Sequence, residues 1–134
     1  MEINYFFEET QDFDLNTDLQ PLIIKAFNDE NKEGGELNFI FCSDDYLLKI
    51  NKEYLDHDYY TDIITFDYAE QNIISGDVFI SKDRVLDNAE KFNVSFENEI
   101  NRVMIHGVLH LLGYKDKTEN ERKQMRLKEE QYMI

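Results

Sequence analysis

Two periods organise the apolar positions. Residues 2–8 carry Ile3, Tyr5, Phe6 and Phe7 without a turn signal and predict a first strand. Glu36-Leu37-Asn38-Phe39-Ile40-Phe41-Cys42 alternates and predicts a second. Ile63-Ile64-Thr65-Phe66 predicts a short third strand. Asn72 to Ser81, broken at Ser75-Gly76, holds a fourth, and Tyr68-Ala69-Glu70-Gln71 offers a hairpin between them. Helical spacing appears elsewhere. Thr17-Asp18-Leu19-Gln20 reads as a capping box with Pro21 in the first turn, ahead of Leu22, Ile23, Ala26 and Phe27. Glu33-Gly34-Gly35 is expected to end that unit. Ser43 caps a helix carrying Leu47, Leu48, Ile50 and Tyr54, with Asp44 and Asp45 at its positive end. Ser81 caps another, to about Phe92. Ser95 caps a long one, and Thr118-Glu119-Asn120-Glu121 opens a charged last helix. About four strands and five helices in mixed order predict an α+β (mixed α/β) fold rather than a plain Rossmann alternation.

From Val103 to Leu112 the apolar stripe widens to nearly every face, which predicts a buried helix. His106 and His110 lie within it four apart, hence on one face. Two imidazoles side by side in apolar surroundings are costly unless they share a partner. A divalent metal is such a partner, because neutral imidazole is its commonest ligand. Gly113 can end the helix in the left-handed conformation. The returning chain then brings Asp116 within reach as an oxygen ligand. Two histidines and a carboxylate leave a coordination position open, the mark of a catalytic rather than a structural site. Zinc peptidases of the His-Glu-x-x-His type carry their general base beside the first histidine. Here that position is Gly107, which has no side chain.

Composition narrows the class. A chain of 134 residues with 42% hydrophobic positions is expected to form one domain, residues 1–134, with a real core. No apolar run reaches a membrane span, and the N-terminus lacks a basic start and a long apolar stretch, so neither a span nor a signal peptide is expected. The single cysteine, Cys42, reads as a small core residue in a reducing cytoplasm. Fourteen basic against twenty-nine acidic residues give a net charge of −15, which repels bare nucleic acid at long range. RNA contact then needs a local basic patch or a basic protein partner. Six basic residues do cluster late, at Lys115, Lys117, Arg122, Lys123, Arg126 and Lys128. Glu119, Glu121, Glu129 and Glu130 lie among them, so the cluster reads first as a solvated, salt-bridged helix.

His106-Gly107-Val108-Leu109-His110-Leu111-Leu112-Gly113-Tyr114 resembles the signature of the YbeY-type endoribonucleases, the rRNA maturation factors. Ile50-Asn51-Lys52-Glu53-Tyr54 followed by Thr61-Asp62-Ile63-Ile64-Thr65-Phe66 resembles that family's second block. Gly76-Asp77-Val78-Phe79-Ile80 resembles its third, and order and spacing agree over roughly residues 36–116. The resemblance implies a mixed sheet packed against helices in a zincin-like core, and one zinc ion held by three ligands. It also implies a cytoplasmic location and single-stranded RNA as substrate during rRNA maturation on the small ribosomal subunit. His106 and His110 carry over as metal ligands. The family usually has His where Asp116 stands, a basic residue where Leu55 stands, and Pro where Tyr60 stands. Asp116 is therefore expected as a replacement third ligand, with His57 as the competing candidate. Asp62 and Asp77 are candidates for orienting a ligand or lining the cleft, and Tyr59, Tyr60 and Tyr114 for stacking bases. The residues name no general base. Two other readings stay open: a metallopeptidase or other metallohydrolase, and a non-enzymatic ribosome-assembly factor that keeps a structural metal and docks on basic ribosomal proteins.

Overall fold

The strand and helix order is β1 (Glu2–Glu8), α1 (Gln20–Asp29), β2 (Glu33–Cys42), α2 (Asp44–Leu55), β3 (Ile63–Asp67), β4 (Ile73–Ser81), α3 (Lys82–Lys91), α4 (Phe96–Leu111) and α5 (Glu119–Tyr132). The computed structural model describes residues 1–15 and 18–133. The strands form one sheet in the order β1-β2-β4-β3. β1 runs parallel to β2 and β2 parallel to β4, while β3 is the antiparallel edge. The expected α+β class, four-stranded mixed sheet and five helices are all present.

Alternation on β2 builds two apolar layers. Leu37, Phe39 and Phe41 face a large core shared with Ile23, Ala26 and Phe27 of α1 and Val103, Met104, Val108 and Leu109 of α4. Cys42, on the opposite face, joins Leu47 and Ile64 in a smaller cluster under α2. A strand covered on both faces reads as a near-continuous apolar run, as Phe39–Cys42 does.

Ser43, Ser81 and Ser95 cap α2, α3 and α4, each hydroxyl accepting a backbone N–H from the first turn. Thr118 and Glu121 close a reciprocal capping box on α5. The hairpin between β3 and β4 forms as expected, with Tyr68 N–H donating to the Ser75 carbonyl.

Three expectations need correction. The N-cap of α1 is Leu19, without a side-chain cap; the Asp18 carboxylate takes the Gln20 N–H, and Thr17 lies outside the described residues. Pro21 does sit in the first turn. Glu33-Gly34-Gly35 opens β2 instead of closing the α1 unit. Its register against β4 shifts between Gly34 and Leu37, and side chains at Gly34 and Gly35 would collide with Met1 and with the Ser75 hydroxyl. Finally, β4 runs unbroken through Ser75-Gly76. Gly76 pairs with both Leu37 and Asp67, and a Cβ there would meet the Leu111 side chain at 2.8 Å. The end of α4 thus closes directly onto the sheet.

Candidate metal centre

The histidine-bearing helix lies against the sheet because Gly107 allows it. A Cβ at Gly107 would stand 2.7 Å from Val78 Cγ1 and 3.0 Å from Ile63 Cδ1. The residue that denies the site a peptidase-type base is therefore the contact between α4 and strands β3 and β4. His106 and His110 lie one turn apart on the same helix, with side chains 16% and 24% exposed. Gly113 follows with φ +106° and turns the chain back. That turn delivers Asp116.

Three acceptor atoms converge. The two Nε2 atoms are 3.0 Å apart, and Asp116 Oδ2 is 3.2 Å from that of His106 and 3.3 Å from that of His110. The other ring nitrogens determine what these atoms carry. His110 Nδ1 lies 3.0 Å from the Tyr114 carbonyl, which only accepts, so Nδ1 bears the hydrogen. His106 Nδ1 donates in the same way to Glu129 Oε2 at 2.6 Å. In the neutral rings both Nε2 atoms are then bare lone pairs, aimed at each other and at a carboxylate. A cation, whether a proton or a metal ion, relieves such a triangle. Donors about 2.0–2.2 Å from a tetrahedral ion lie roughly 3.3–3.6 Å from one another, close to the spacing found. Two imidazole nitrogens and one carboxylate oxygen form a donor set that suits zinc. The atoms of His106, His110 and Asp116 form the one group among the described residues with such proximity.

The surrounding charges fit a single cation. Burial opposes protonation of His106. The hydrogen bond and charge of Glu129, helped by Asp116 and Asp62, outweigh it and raise His106 above its ordinary 6.5. Burial, then the neighbouring charge of His106, push His110 below that value. Burial would raise the Glu129 carboxyl, but the His106 hydrogen bond and the Arg102 charge hold it below its ordinary value. Arg102 is itself held by Glu99, at 2.8 and 2.9 Å, and reaches Glu129 Oε1 at 3.1 Å. Sequence reading placed Glu129 among surface salt bridges. The signal that could have found it is its place with Met125 and Tyr132, four and three residues away, on the buried stripe of α5.

Comparisons with known proteins place the chain in a family. The family model described as "Endoribonuclease YbeY" matches residues 5–134. The chain belongs to the endoribonuclease YbeY family. A relative of that name from Christiangramia forsetii is 54% identical over 132 residues, covering 97% of this chain and 91% of its own. One from Flavobacterium johnsoniae is 50% identical over 129 residues, covering 96% and 93%. A solution structure of a Thermotoga maritima protein superposes with a TM-score of 0.68 at 28% identity, covering 97% of this chain and 86% of that one.

The remaining candidates fall into place around the triangle. His57 is exposed, stacks on Tyr59 at 5.1 Å and shares a hydrogen bond with its hydroxyl; it is not in the triangle. Tyr60, at the family's proline position, donates to Asp45 and lies under the Arg84 guanidinium. Asp62 acts on His106 through its charge, and its carbonyl accepts the Ser81 N–H at 2.9 Å. Asp77 does not line the centre. Its neighbour Val78 faces Gly107, whereas the Asp77 carboxylate accepts from Asn38 and Tyr68 on the other face of the sheet. Tyr114 serves through its backbone carbonyl, and its hydroxyl is committed to Glu30. Cys42 is fully buried, and burial above all pushes its thiol up to about 12, as expected of a core residue. In the late basic cluster Lys123 pairs with Glu119 and Lys128 with Glu30. Lys115 and Lys117 are exposed on either side of Asp116. No helix among the described residues is long and apolar enough to cross a membrane.

Proposed function

We propose that residues 1–134 act as one metal-dependent hydrolase domain that cleaves single-stranded RNA during rRNA maturation, with a zinc ion held by His106, His110 and Asp116. Family membership makes the chain an endoribonuclease. The observation that carries the metal reading is the convergence of two bare Nε2 atoms and one carboxylate oxygen within 3.0–3.3 Å. A bound divalent ion supplies Lewis-acid charge for the phosphodiester. The chain does the rest. Tyr114 and Glu129 hold the two rings with their lone pairs inward. Gly113 brings the third ligand. Lys115 and Lys117 stand exposed beside it in sequence as cations for the RNA backbone. Because Val78 and Ile63 fill the space at Gly107, no side chain there can serve as a peptidase base. The cytoplasm, the small ribosomal subunit and basic ribosomal proteins as docking partners belong to the same proposal; an acidic chain of net charge −15 complements such proteins.

The test is made on protein prepared without chelator. Elemental analysis should find about one equivalent of zinc. The loaded chain should cleave single-stranded RNA and leave casein intact. His106→Ala and His110→Ala should each abolish both metal and cleavage. Full metal retention in both variants would overturn the site.

A further inference from the structure

Glu129 stands out on packing grounds. It is a buried carboxylate between Met125 and Tyr132 on the face that α5 turns to α4. An apolar side chain would fill that place at no desolvation cost, so the fold alone does not require the charge. Each oxygen of Glu129 has a separate partner. Oε2 takes His106 Nδ1–H at 2.6 Å, and Oε1 takes Arg102 Nη1 at 3.1 Å. Arg102 is in turn fixed by a two-pronged pair with Glu99, whose side chain is 2% exposed. The path runs from Glu99 in the first turn of α4, through α5, back to His106 about two helix turns further along α4.

We infer that Glu129, braced by Arg102, is the positioning residue of the metal centre: it keeps the His106 hydrogen on Nδ1 and the bare Nε2 facing His110 and Asp116. This rests on the reading of His106 as a metal ligand. An imidazole with no partner divides its hydrogen between two nitrogens and rotates about its side-chain bonds. Each of those states removes a donor from the triangle. A carboxylate behind Nδ1 selects one tautomer and one rotamer together, and strengthens the donor on the far side of the ring. His110 gets its orientation from a backbone carbonyl, so the structure assigns this role to a side chain at His106 only.

The experiment uses the full chain with Glu129→Ala, the volume-matched Glu129→Gln, and Arg102→Met. The first readout needs no metal. Ring 15N spectra of the metal-free, histidine-labelled protein distinguish a hydrogen-bearing nitrogen from a bare one. The parent should show His106 with the hydrogen on Nδ1, Glu129→Ala should show it mainly on Nε2, and Glu129→Gln should keep the parent pattern. The second readout is zinc affinity by competition with a chromophoric chelator. Glu129→Ala should lose roughly 10–100-fold, and Glu129→Gln and Arg102→Met less. An unchanged His106 tautomer in Glu129→Ala overturns the proposal. So does zinc affinity in Glu129→Ala within about twofold of a parent that binds zinc, since a positioning residue must move it further. A parent that takes up no zinc, with the tautomer still switching in Glu129→Ala, overturns the metal reading and upholds the positioning role.

Discussion

Gly113 adopts φ +106°, a backbone state that side chains rarely tolerate, and that one choice brings Asp116 back to the histidines. The consequence was legible in sequence, because a glycine after an apolar helix followed by a carboxylate three residues on is a local pattern. Glu129 was not legible in the same way. It lies 23 residues from His106, and its role exists only after α5 docks on α4. His57 was the competing candidate in sequence, and the loop after α2 pairs it with Tyr59 instead. As the proposed third ligand, Asp116 would also set the character of the centre. A carboxylate is harder than imidazole and adds a negative charge, so it favours hard divalent ions relative to zinc more than a third histidine would. Asp116→Ala should weaken zinc binding strongly. Asp116→His should keep zinc and lower the affinity for manganese relative to it. Paired competition titrations with the two metals check this. An Asp116→Ala variant that binds zinc as the parent does would show that the carboxylate is a bystander.

The elements were largely readable because their signals are local: serine and threonine caps, alternation on β2, and a helix apolar all round. The misreadings share one cause. Gly34-Gly35 and Ser75-Gly76 looked like breaks, yet each belongs to a strand because something packs where a side chain would be. That information lies in the partner element. The same logic governs α4, whose closeness to the sheet depends on Gly107. In an isolated helix, Gly→Ala gains about 1 kcal/mol of propensity. Here the new methyl meets Val78, which is fully buried and cannot swing away. Overpacking of this kind costs about 1–3 kcal/mol, and it moves the helix that bears both histidines. Gly107→Ala should therefore lower the unfolding free energy by up to about 2 kcal/mol net of the propensity gain, and weaken zinc binding with it. Urea denaturation and chelator competition measure the two effects. A variant as stable as the parent, with unchanged affinity, would mean that the sheet yields to α4 without cost.

At the scale of the whole molecule, a net charge of −15 meets a polyanionic substrate. Long-range attraction cannot bring them together, so binding must come from a short positive segment and from the centre itself. On α5, Lys123 and Lys128 are spent on glutamates, and the Arg122 guanidinium is turned onto the Lys117 carbonyl. Lys115 and Lys117 make no ion pair among the described residues and flank the residue that completes the triangle. On the proposed function they are the cations that meet phosphates entering the site. Their contacts would be to backbone, hence blind to sequence. For single strands each phosphate neutralised contributes about −0.7 to the slope of log affinity against log salt. Replacing both lysines with glutamine should therefore weaken RNA binding by a similar factor on unrelated sequences and flatten that slope by about 1.4. The zinc content should not change, which separates loss of the patch from loss of the centre. Fluorescence anisotropy on two unrelated single-stranded RNAs, titrated across a salt series, measures both quantities. Binding that ignores salt and survives the double substitution would place the RNA elsewhere on the molecule.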